Sequence, residues 1–121
     1  MNTLPKIALF DDDESNLRFY SGSLDPHFKL KCFQNPFLYP EALDDDVSAI
    51  LVDALMPVMN GLDFTSAIRK IEKFKYTPIL LLSTEGSDSL RQAAKERGAT
   101  GWIVKPFNPE KLMRIISKVL C

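Results

Sequence analysis

The 121-residue chain is 45% apolar and carries a formal net charge of −1. A chain of this size and composition is expected to form one globular domain that buries roughly two-thirds of its extended surface. The near-neutral balance argues against the strongly basic surface of a protein that binds nucleic acid directly. The charge is nevertheless split, because residues 1–63 hold eleven acidic and four basic side chains, and residues 64–121 hold five and eleven.

Cysteine usage and hydropathy exclude several further classes. Cys32 and Cys121 lie far apart, and His27 is the one histidine, so no zinc site of histidine and cysteine is complete. Two cysteines that are not expected to form a disulfide are typical of the reducing cytoplasm. We expect no signal peptide, because residues 7–10 are the one apolar run near the N-terminus and a block of acidic residues follows it. No stretch approaches the ~20 apolar residues that span a bilayer. We therefore expect a cytoplasmic domain with no membrane-inserted segment.

Five short apolar runs alternate with longer amphipathic stretches. The runs predict strands at residues 6–10, 29–33, 48–52, 78–82 and 102–104. The second run alternates polar and apolar residues, which predicts a half-exposed edge strand. The other runs are rich in Ile, Leu, Val and Phe, as buried strands of parallel sheets are.

The stretches between the runs predict helices. Asp13 and Ser15 are the candidate caps of the first helix, and Asn108 followed by Pro109 marks the start of the last. Residues 36–44 give the weakest helix prediction, because Pro40 disrupts any helix there except in its first turn. Five repeats of strand and helix favour an α/β domain whose parallel sheet is covered on both faces.

Carboxylate, hydroxyl or ammonium side chains follow four of the five predicted strands, whereas Gln34 and Asn35 follow the second and suggest no chemistry. In parallel α/β sheets, ligands bind beyond the carboxyl ends of the strands, so residues at these points are candidate site residues. They are Asp11, Asp12, Asp13 and Glu14 after the first strand, Asp53 after the third, Ser83 and Thr84 after the fourth, and Lys105 after the fifth.

These residue types together favour phosphoryl chemistry. Neighbouring carboxylates raise one another's pKa unless a cation lies between them. With no imidazole or thiolate nearby, the cation is expected to be hard and oxygen-binding, which favours Mg²⁺. A carboxylate beside Mg²⁺, with a lysine and a hydroxyl opposite, is suited to accept a phosphoryl group as an aspartyl phosphate.

Each residue also has an ordinary structural interpretation. Residues 11–14 could cap the first helix, Asp53 and Ser83 could lie in turns, and Lys105 could be a solvated charge. The joint occurrence at four strand ends favours a site, because coincidence at all four is much less frequent than at one.

At this point the chain resembles the receiver domain of two-component response regulators, the CheY-like family. Residues 53–61, DALMPVMNG, fit the family's D-x-x-M-P-x-M-x-G loop at every fixed position. Residues 10–13, 78–84 and 98–107 resemble its first, fourth and fifth strand segments, so the resemblance covers the whole chain. It implies the flavodoxin-like (βα)₅ fold, a doubly wound five-stranded parallel sheet of order 2-1-3-4-5 with helices on both faces.

The resemblance implies a metal site around the phosphoacceptor. Asp53 takes the place of the phosphoacceptor. Asp12, Asp53 and the main-chain carbonyl of Leu55 take the places of direct Mg²⁺ ligands, and Asp11 that of a ligand acting through water. Asp13 is a third acid at this position, and we expect it to cap the first helix.

The resemblance also implies roles on the fourth and fifth strands. Lys105 is expected to contact the phosphoryl oxygens, and its peptide bond to Pro106 is expected to be cis. Ser83 takes the place of the switch hydroxyl, and Trp102 that of the switch aromatic residue. Thr84 stands where the family often has alanine, so it crowds the opening of the site and is expected to alter the lifetime of the phosphoryl group.

The implied function is a phosphorylation-driven switch rather than a conventional enzyme. A histidine kinase supplies the phosphoryl group, the domain catalyses its own phosphorylation, and water later removes the group. Ser83 and Lys105 then move inward, Trp102 turns into the vacated space, and the face made by the fourth helix, the fifth strand and the last helix changes.

The segment 98–112 most resembles stand-alone chemotaxis regulators, and the chain ends with its last helix. These features favour a messenger between a chemotaxis kinase and the flagellar motor switch, as a monomer or weak dimer. Three alternatives stay open. They are a receiver excised from a longer regulator or hybrid kinase, a phosphorelay intermediate, and a phosphorylation-independent binding module.

A haloacid-dehalogenase-like phosphatase uses a similar residue set with Mg²⁺. Its nucleophile follows the first strand, however, and its acidic metal pair follows the lysine. Here Glu110 is the one acidic residue after Lys105, which disfavours that class.

Overall fold

The computed structural model describes residues 4–24, 27–35, 43, 46–54, 56 and 59–120. Its elements in chain order are β1 (Lys6–Phe10), α1 (Glu14–Leu24), β2 (Lys29–Phe33), β3 (Val47–Asp53), α2 (Gly61–Arg69), a 3₁₀ turn (Glu72–Phe74), β4 (Ile79–Ser83), α3 (Asp88–Glu96), β5 (Gly101–Val104) and α4 (Pro109–Val119). The five predicted strands are confirmed, with ends that differ by at most one residue. Most of residues 36–44 lie outside the described part of the chain.

The strands form one parallel sheet of order β2-β1-β3-β4-β5. The predicted α/β class and strand order are therefore confirmed. β2 lies at one edge and none of its residues is buried, as its alternating sequence predicted. β1, β3 and β4 lie inside the sheet and are almost wholly buried.

Alternation along the strands divides the core into two layers. Ile7 and Leu9 pack with Leu17 of α1 and Leu112 of α4 on one side of the sheet. Ala8 and Phe10 point the other way and join the layer that contains α2 and α3. Successive side chains of a strand face opposite sides, so a strand apolar at every position needs helices on both faces. The predicted two-sided cover is confirmed.

Cap residues fix where the first and last helices begin. Asp13 Oδ1 accepts a hydrogen bond of 2.8 Å from the backbone N–H of Ser15, so Asp13 caps α1 as expected. The prediction of Ser15 as a cap is wrong, because Ser15 is the second residue of the helix. Asn108 Oδ1 accepts from the N–H of Lys111 and starts α4 at Pro109, as predicted.

Within the described residues, no helix combines the length and the apolar character that crossing a membrane requires.

Candidate functional site

The carboxyl ends of the strands bring the predicted site residues to one edge of the sheet. Asp11 follows β1, Asp53 ends β3, Ser83 ends β4 and Lys105 follows β5. β1 and β3 are neighbours in the sheet, as are β3 and β4 and then β4 and β5. The four residues therefore lie side by side along the sheet, and we call this edge the carboxyl rim.

Helix α2 begins directly against the backbone of Asp53. The N–H of Gly61 donates to the carbonyl of Ala54 at 2.9 Å. A Cβ placed on Gly61 would lie 2.7 Å from Leu81 Cδ2 and 2.8 Å from Ala54 Cα. A larger residue would push the helix away from the strand end, so the glycine allows this close approach.

Three carboxylates of the rim are close enough to share a cation. One oxygen each from Asp11, Asp12 and Asp53 lies within 4.8 Å of the other two. Asp11 and Asp53 are buried, whereas Asp12 is exposed. A set made only of carboxylate oxygens fits a hard, oxygen-binding divalent cation such as Mg²⁺, and the exposed position of Asp12 leaves that cation open to solvent.

Asp11 is the most enclosed of the three, with no surface exposed to solvent. Its Oδ1 accepts from the backbone N–H of Asp13 at 2.9 Å, and its Oδ2 accepts from Asn16 Nδ2 at 3.2 Å. Burial, together with the charge of Asp53, raises the pKa of Asp11 to about 6, even though these two hydrogen bonds and the charge of Lys105 lower it. A bound cation would offset the charge that burial disfavours.

Lys105 lies on the other side of Asp53. Its Nζ is 3.7 Å from Asp53 Oδ1, and both side chains are largely buried. The backbone N–H of Lys105 donates to the carbonyl of Ser83 at 2.7 Å, and the peptide bond between Lys105 and Pro106 is cis. The ammonium therefore faces the carboxylate that the resemblance makes the phosphoacceptor.

Two further hydrogen bonds connect Ser83 to Trp102. The buried Ser83 Oγ accepts from the backbone N–H of Glu85 at 3.1 Å. The carbonyl of Glu85 in turn accepts from Trp102 Nε1 at 2.7 Å. Trp102 is half-buried on β5, so the segment after β4 joins the rim hydroxyl to the indole of the neighbouring strand.

The remaining predicted residues lie at or beyond the margin of this cluster. Thr84 and Glu85 are exposed beside Ser83. Asp13 caps α1 with its side chain. Leu55, whose carbonyl is the expected third direct ligand, lies outside the described residues.

Two residues near the rim were not found from the sequence. Asn16 bonds to Asp11 from the first turn of α1. Tyr20, one turn further on, stacks on Phe107 with ring centroids 6.0 Å apart, and burial raises the pKa of its phenol. A polar residue within an amphipathic helix is the one sequence signal for Asn16, whereas Tyr20 is indistinguishable from an ordinary core residue.

The family comparison covers almost the whole chain. The profile of the response regulator receiver domain matches residues 7–117. The cyclic di-GMP phosphodiesterase response regulator RpfG of Xanthomonas campestris is 32% identical over 94% of this chain and 31% of its own length. The chemotaxis protein CheY1 of Helicobacter pylori is 37% identical over 62% of this chain and 60% of its own length. The chain thus spans 31% of the length of RpfG and 60% of the length of CheY1.

The solved structure of the chemotaxis response regulator CheY4 of Vibrio cholerae has a similar fold. It superposes with a TM-score of 0.88 at 37% identity, over 97% of this chain and 99% of that one.

Proposed function

The chain belongs to the response regulator receiver family, and we propose that it is a signalling switch in which Asp53 accepts a phosphoryl group from a histidine kinase. The observation that carries this proposal is the position of Asp53 on the rim. It lies 3.7 Å from the Lys105 ammonium on one side and close to the Asp11 and Asp12 carboxylates on the other.

Transfer needs one carboxylate oxygen of Asp53 as nucleophile. That oxygen forms a bond to phosphorus while the bond from phosphorus to the kinase histidine breaks, and the histidine keeps the electron pair. Lys105 offsets the negative charge that gathers on the phosphoryl oxygens. The backbone N–H of Lys105 donates a hydrogen bond to the Ser83 carbonyl. The Lys105 ammonium and the Ser83 hydroxyl are therefore held at the ends of adjacent strands.

The metal site of the proposal consists of Asp11, Asp12 and Asp53, with the Leu55 carbonyl as the expected further ligand. When bound there, Mg²⁺ supplies positive charge to the phosphoryl oxygens. The three carboxylates would hold the cation, and Asp53 would serve both as a ligand and as the nucleophile. Thr84 stands exposed beside the opening of the site, where its size affects the access of the water that later hydrolyses the aspartyl phosphate.

The switch step follows from the hydrogen bonds of Ser83. If Ser83 Oγ turns toward a phosphoryl group on Asp53, its bond from the Glu85 N–H weakens, because the hydroxyl moves away from that segment. The Glu85 carbonyl also holds Trp102 Nε1, so movement of this segment changes the position of the indole. Phosphorylation is thereby read out as a shift between two arrangements of Trp102.

The output surface of the proposal is the groove between α3 and β5. The groove has a volume of about 330 Å³ and is lined by Arg91 and Lys95 of α3 and by Trp102. The exposed Lys111, Arg114 and Lys118 of α4 make the adjoining helix basic as well. Arg97 belongs to a different contact, since its Nη1 pairs with Asp63 Oδ1 of α2 at 2.9 Å.

We assign the pathway to chemotaxis, with a chemotaxis kinase upstream, the flagellar motor switch downstream and a cytoplasmic location. The support is the similarity to CheY4, which extends over nearly the full length of both chains. One observation favours a second candidate, a receiver that controls a covalently attached output domain. RpfG matches 94% of this chain but is about three times as long, since the match covers 31% of it.

The test is phosphorylation by a small-molecule phosphodonor. Wild type, Asp53→Asn and the control Asp63→Asn are incubated with Mg²⁺ and acetyl phosphate, and intact masses are recorded. We expect one added phosphoryl group on wild type and on Asp63→Asn, none on Asp53→Asn, and none on any protein when a chelator is present. An unmodified wild type, or a modified Asp53→Asn, would contradict the assignment.

A further inference from the structure

Asn16 connects the first turn of α1 to the metal side of the rim. α1 begins at Glu14, so Asn16 is its third residue and the amide points back toward the end of β1. Asn16 Nδ2 donates to Asp11 Oδ2 at 3.2 Å. The side chain is half-buried, which shields this hydrogen bond from competition by water.

The bond from Asn16 gives the second oxygen of the Asp11 carboxylate a donor. Asp11 Oδ1 already accepts from the Asp13 backbone N–H at 2.9 Å, and Asp11 has no exposed surface. With a donor on each oxygen, the plane of the carboxylate is fixed about both torsions of the side chain. The Asp13 donor belongs to the backbone, so Asn16 is the donor that a substitution can remove.

We propose that Asn16 is a positioning residue for Mg²⁺ binding. This inference rests on the proposed function to the extent that Asp11, Asp12 and Asp53 hold the cation. The amide fixes the orientation of Asp11 before the cation arrives, so the carboxylate loses little rotational freedom on binding. Outer partners of metal ligands typically contribute 10–100-fold to metal affinity.

Removing the amide has two physical consequences. Asp11 Oδ2 loses its donor inside the protein, where an unpaired acceptor is costly. The carboxylate can then also rotate, so its orientation must be fixed when the cation binds. The loss of orientation weakens Mg²⁺ binding, whereas the unpaired acceptor lowers the stability of the metal-free protein. Neither touches Asp53 or Lys105, which carry out the proposed transfer.

The experiment measures the binding of Mg²⁺ alone. Asn16→Leu keeps the branching and the number of side-chain heavy atoms without a donor, and Asn16→Ala removes the side chain beyond Cβ. Ser15→Ala is the matched control, because Ser15 is exposed in the same helical turn. Titration calorimetry in the absence of any phosphodonor gives the dissociation constant of each protein, and urea unfolding in chelator verifies that each is folded.

We expect the Mg²⁺ dissociation constant to rise about tenfold in both Asn16 variants and to stay within about twofold of wild type in Ser15→Ala. Values for both Asn16 variants within twofold of wild type would overturn the inference. A tenfold rise in Ser15→Ala would also overturn it, because the effect would then come from disturbing α1 in general.

A second readout separates positioning from a direct part in the reaction. With acetyl phosphate, the Mg²⁺ concentration for half-maximal labelling is expected to rise about tenfold in Asn16→Leu, and the rate at saturating Mg²⁺ to match wild type. A large loss of the saturating rate would contradict a positioning role. If wild type binds Mg²⁺ but is never labelled, the proposed function fails while the calorimetry still decides the role of Asn16.

Discussion

Charged side chains are withdrawn from solvent at both edges of the sheet, partly for Arg69 and fully for Asp11, and their surroundings differ. At the amino edge, Arg69 donates from Nη1 to the carbonyls of Phe74 and Thr77 at 2.7 and 2.6 Å, and from Nε to the carbonyl of Gly98 at 2.9 Å. At the carboxyl edge, Asp11 accepts two hydrogen bonds but lies beside two further carboxylates.

Burial disfavours both charges, lowering the pKa of Arg69 and raising that of Asp11. The carbonyls around Arg69 carry partial negative charge and come from the connection before β4 and the connection before β5, so the guanidinium joins both to α2. Asp11 instead gains a like-charged neighbour in Asp53. The Arg69 charge is compensated by carbonyl oxygens and stabilises the fold. The Asp11 charge has like-charged neighbours instead, and it lies where a cation and a phosphoryl group are proposed to bind.

The largest effect is expected from Arg69→Met. It leaves three loop carbonyls without their donor and should lower the free energy of unfolding by about 2–4 kcal/mol in urea titrations. Lys70→Met, at the exposed neighbouring position, is the control and should change it by less than about 0.5 kcal/mol. Equal losses in the two variants would show that the carbonyl contacts of Arg69 contribute nothing.

Whereas Arg69→Met lowers the free energy of unfolding, Asp11→Asn is expected to raise it. This variant removes a buried charge next to Asp53, so in chelator at pH 7 it should raise the free energy of unfolding by about 1–3 kcal/mol. Saturating Mg²⁺ should then stabilise wild type and leave the variant almost unchanged. If the variant were less stable than wild type in chelator, the hydrogen bonds to Asp11 would compensate its charge as the carbonyls compensate that of Arg69.

Asp11 also makes the free energy of unfolding depend on pH, with a sign that its raised pKa fixes. The pKa of Asp11 is raised from 3.8 to about 6 in the folded state. Between these two pH values Asp11 is therefore protonated in the folded protein and ionised in the unfolded chain. The Asp11 contribution therefore lowers stability as pH rises from about 4 to 6 and is constant above that range. Thermal unfolding in chelator should show this slope in the difference between wild type and Asp11→Asn. A rising or flat difference would contradict the raised pKa.

The smallest effect on the free energy of unfolding is expected from an exposed ion pair, which serves as a comparison for Arg69 and Asp11. Asp63 and Arg97 are 2.9 Å apart, with side chains 55% and 45% exposed. A double-mutant cycle with Asp63→Asn and Arg97→Gln should give a coupling of about 0.2–1 kcal/mol that falls as salt is added. A coupling as large as the Arg69 effect would remove the distinction between buried and exposed charges.

Residues at strand ends were predictable because parallel strands finish at a common edge. Asp11, Asp53, Ser83 and Lys105 could be placed together from apolar runs alone, before any contact was known. The caps of α1 and α4 were predictable in the same way, since Asp13 and Asn108 act on residues two or three positions away.

Contacts that depend on side-chain direction could not be predicted. The amide of Asn16 reaches Asp11 only because α1 turns back over the end of β1. The partners of Arg69 come from segments that meet only when α2, the 3₁₀ turn and the start of β5 are assembled. The excess of basic residues in the second half of the chain gave no sign that Arg97 faces α2 rather than the groove beside β5.

The most direct test of coupling between the rim and Trp102 is the emission of this single tryptophan. Beryllofluoride, a phosphoryl mimic, is added with Mg²⁺ to wild type and to Asp53→Asn. Because two hydrogen bonds connect Ser83 to the indole, we expect the emission of wild type to change in intensity or wavelength and that of Asp53→Asn to stay constant. An unchanged wild-type emission, or an equal change in Asp53→Asn, would contradict a switch driven from Asp53.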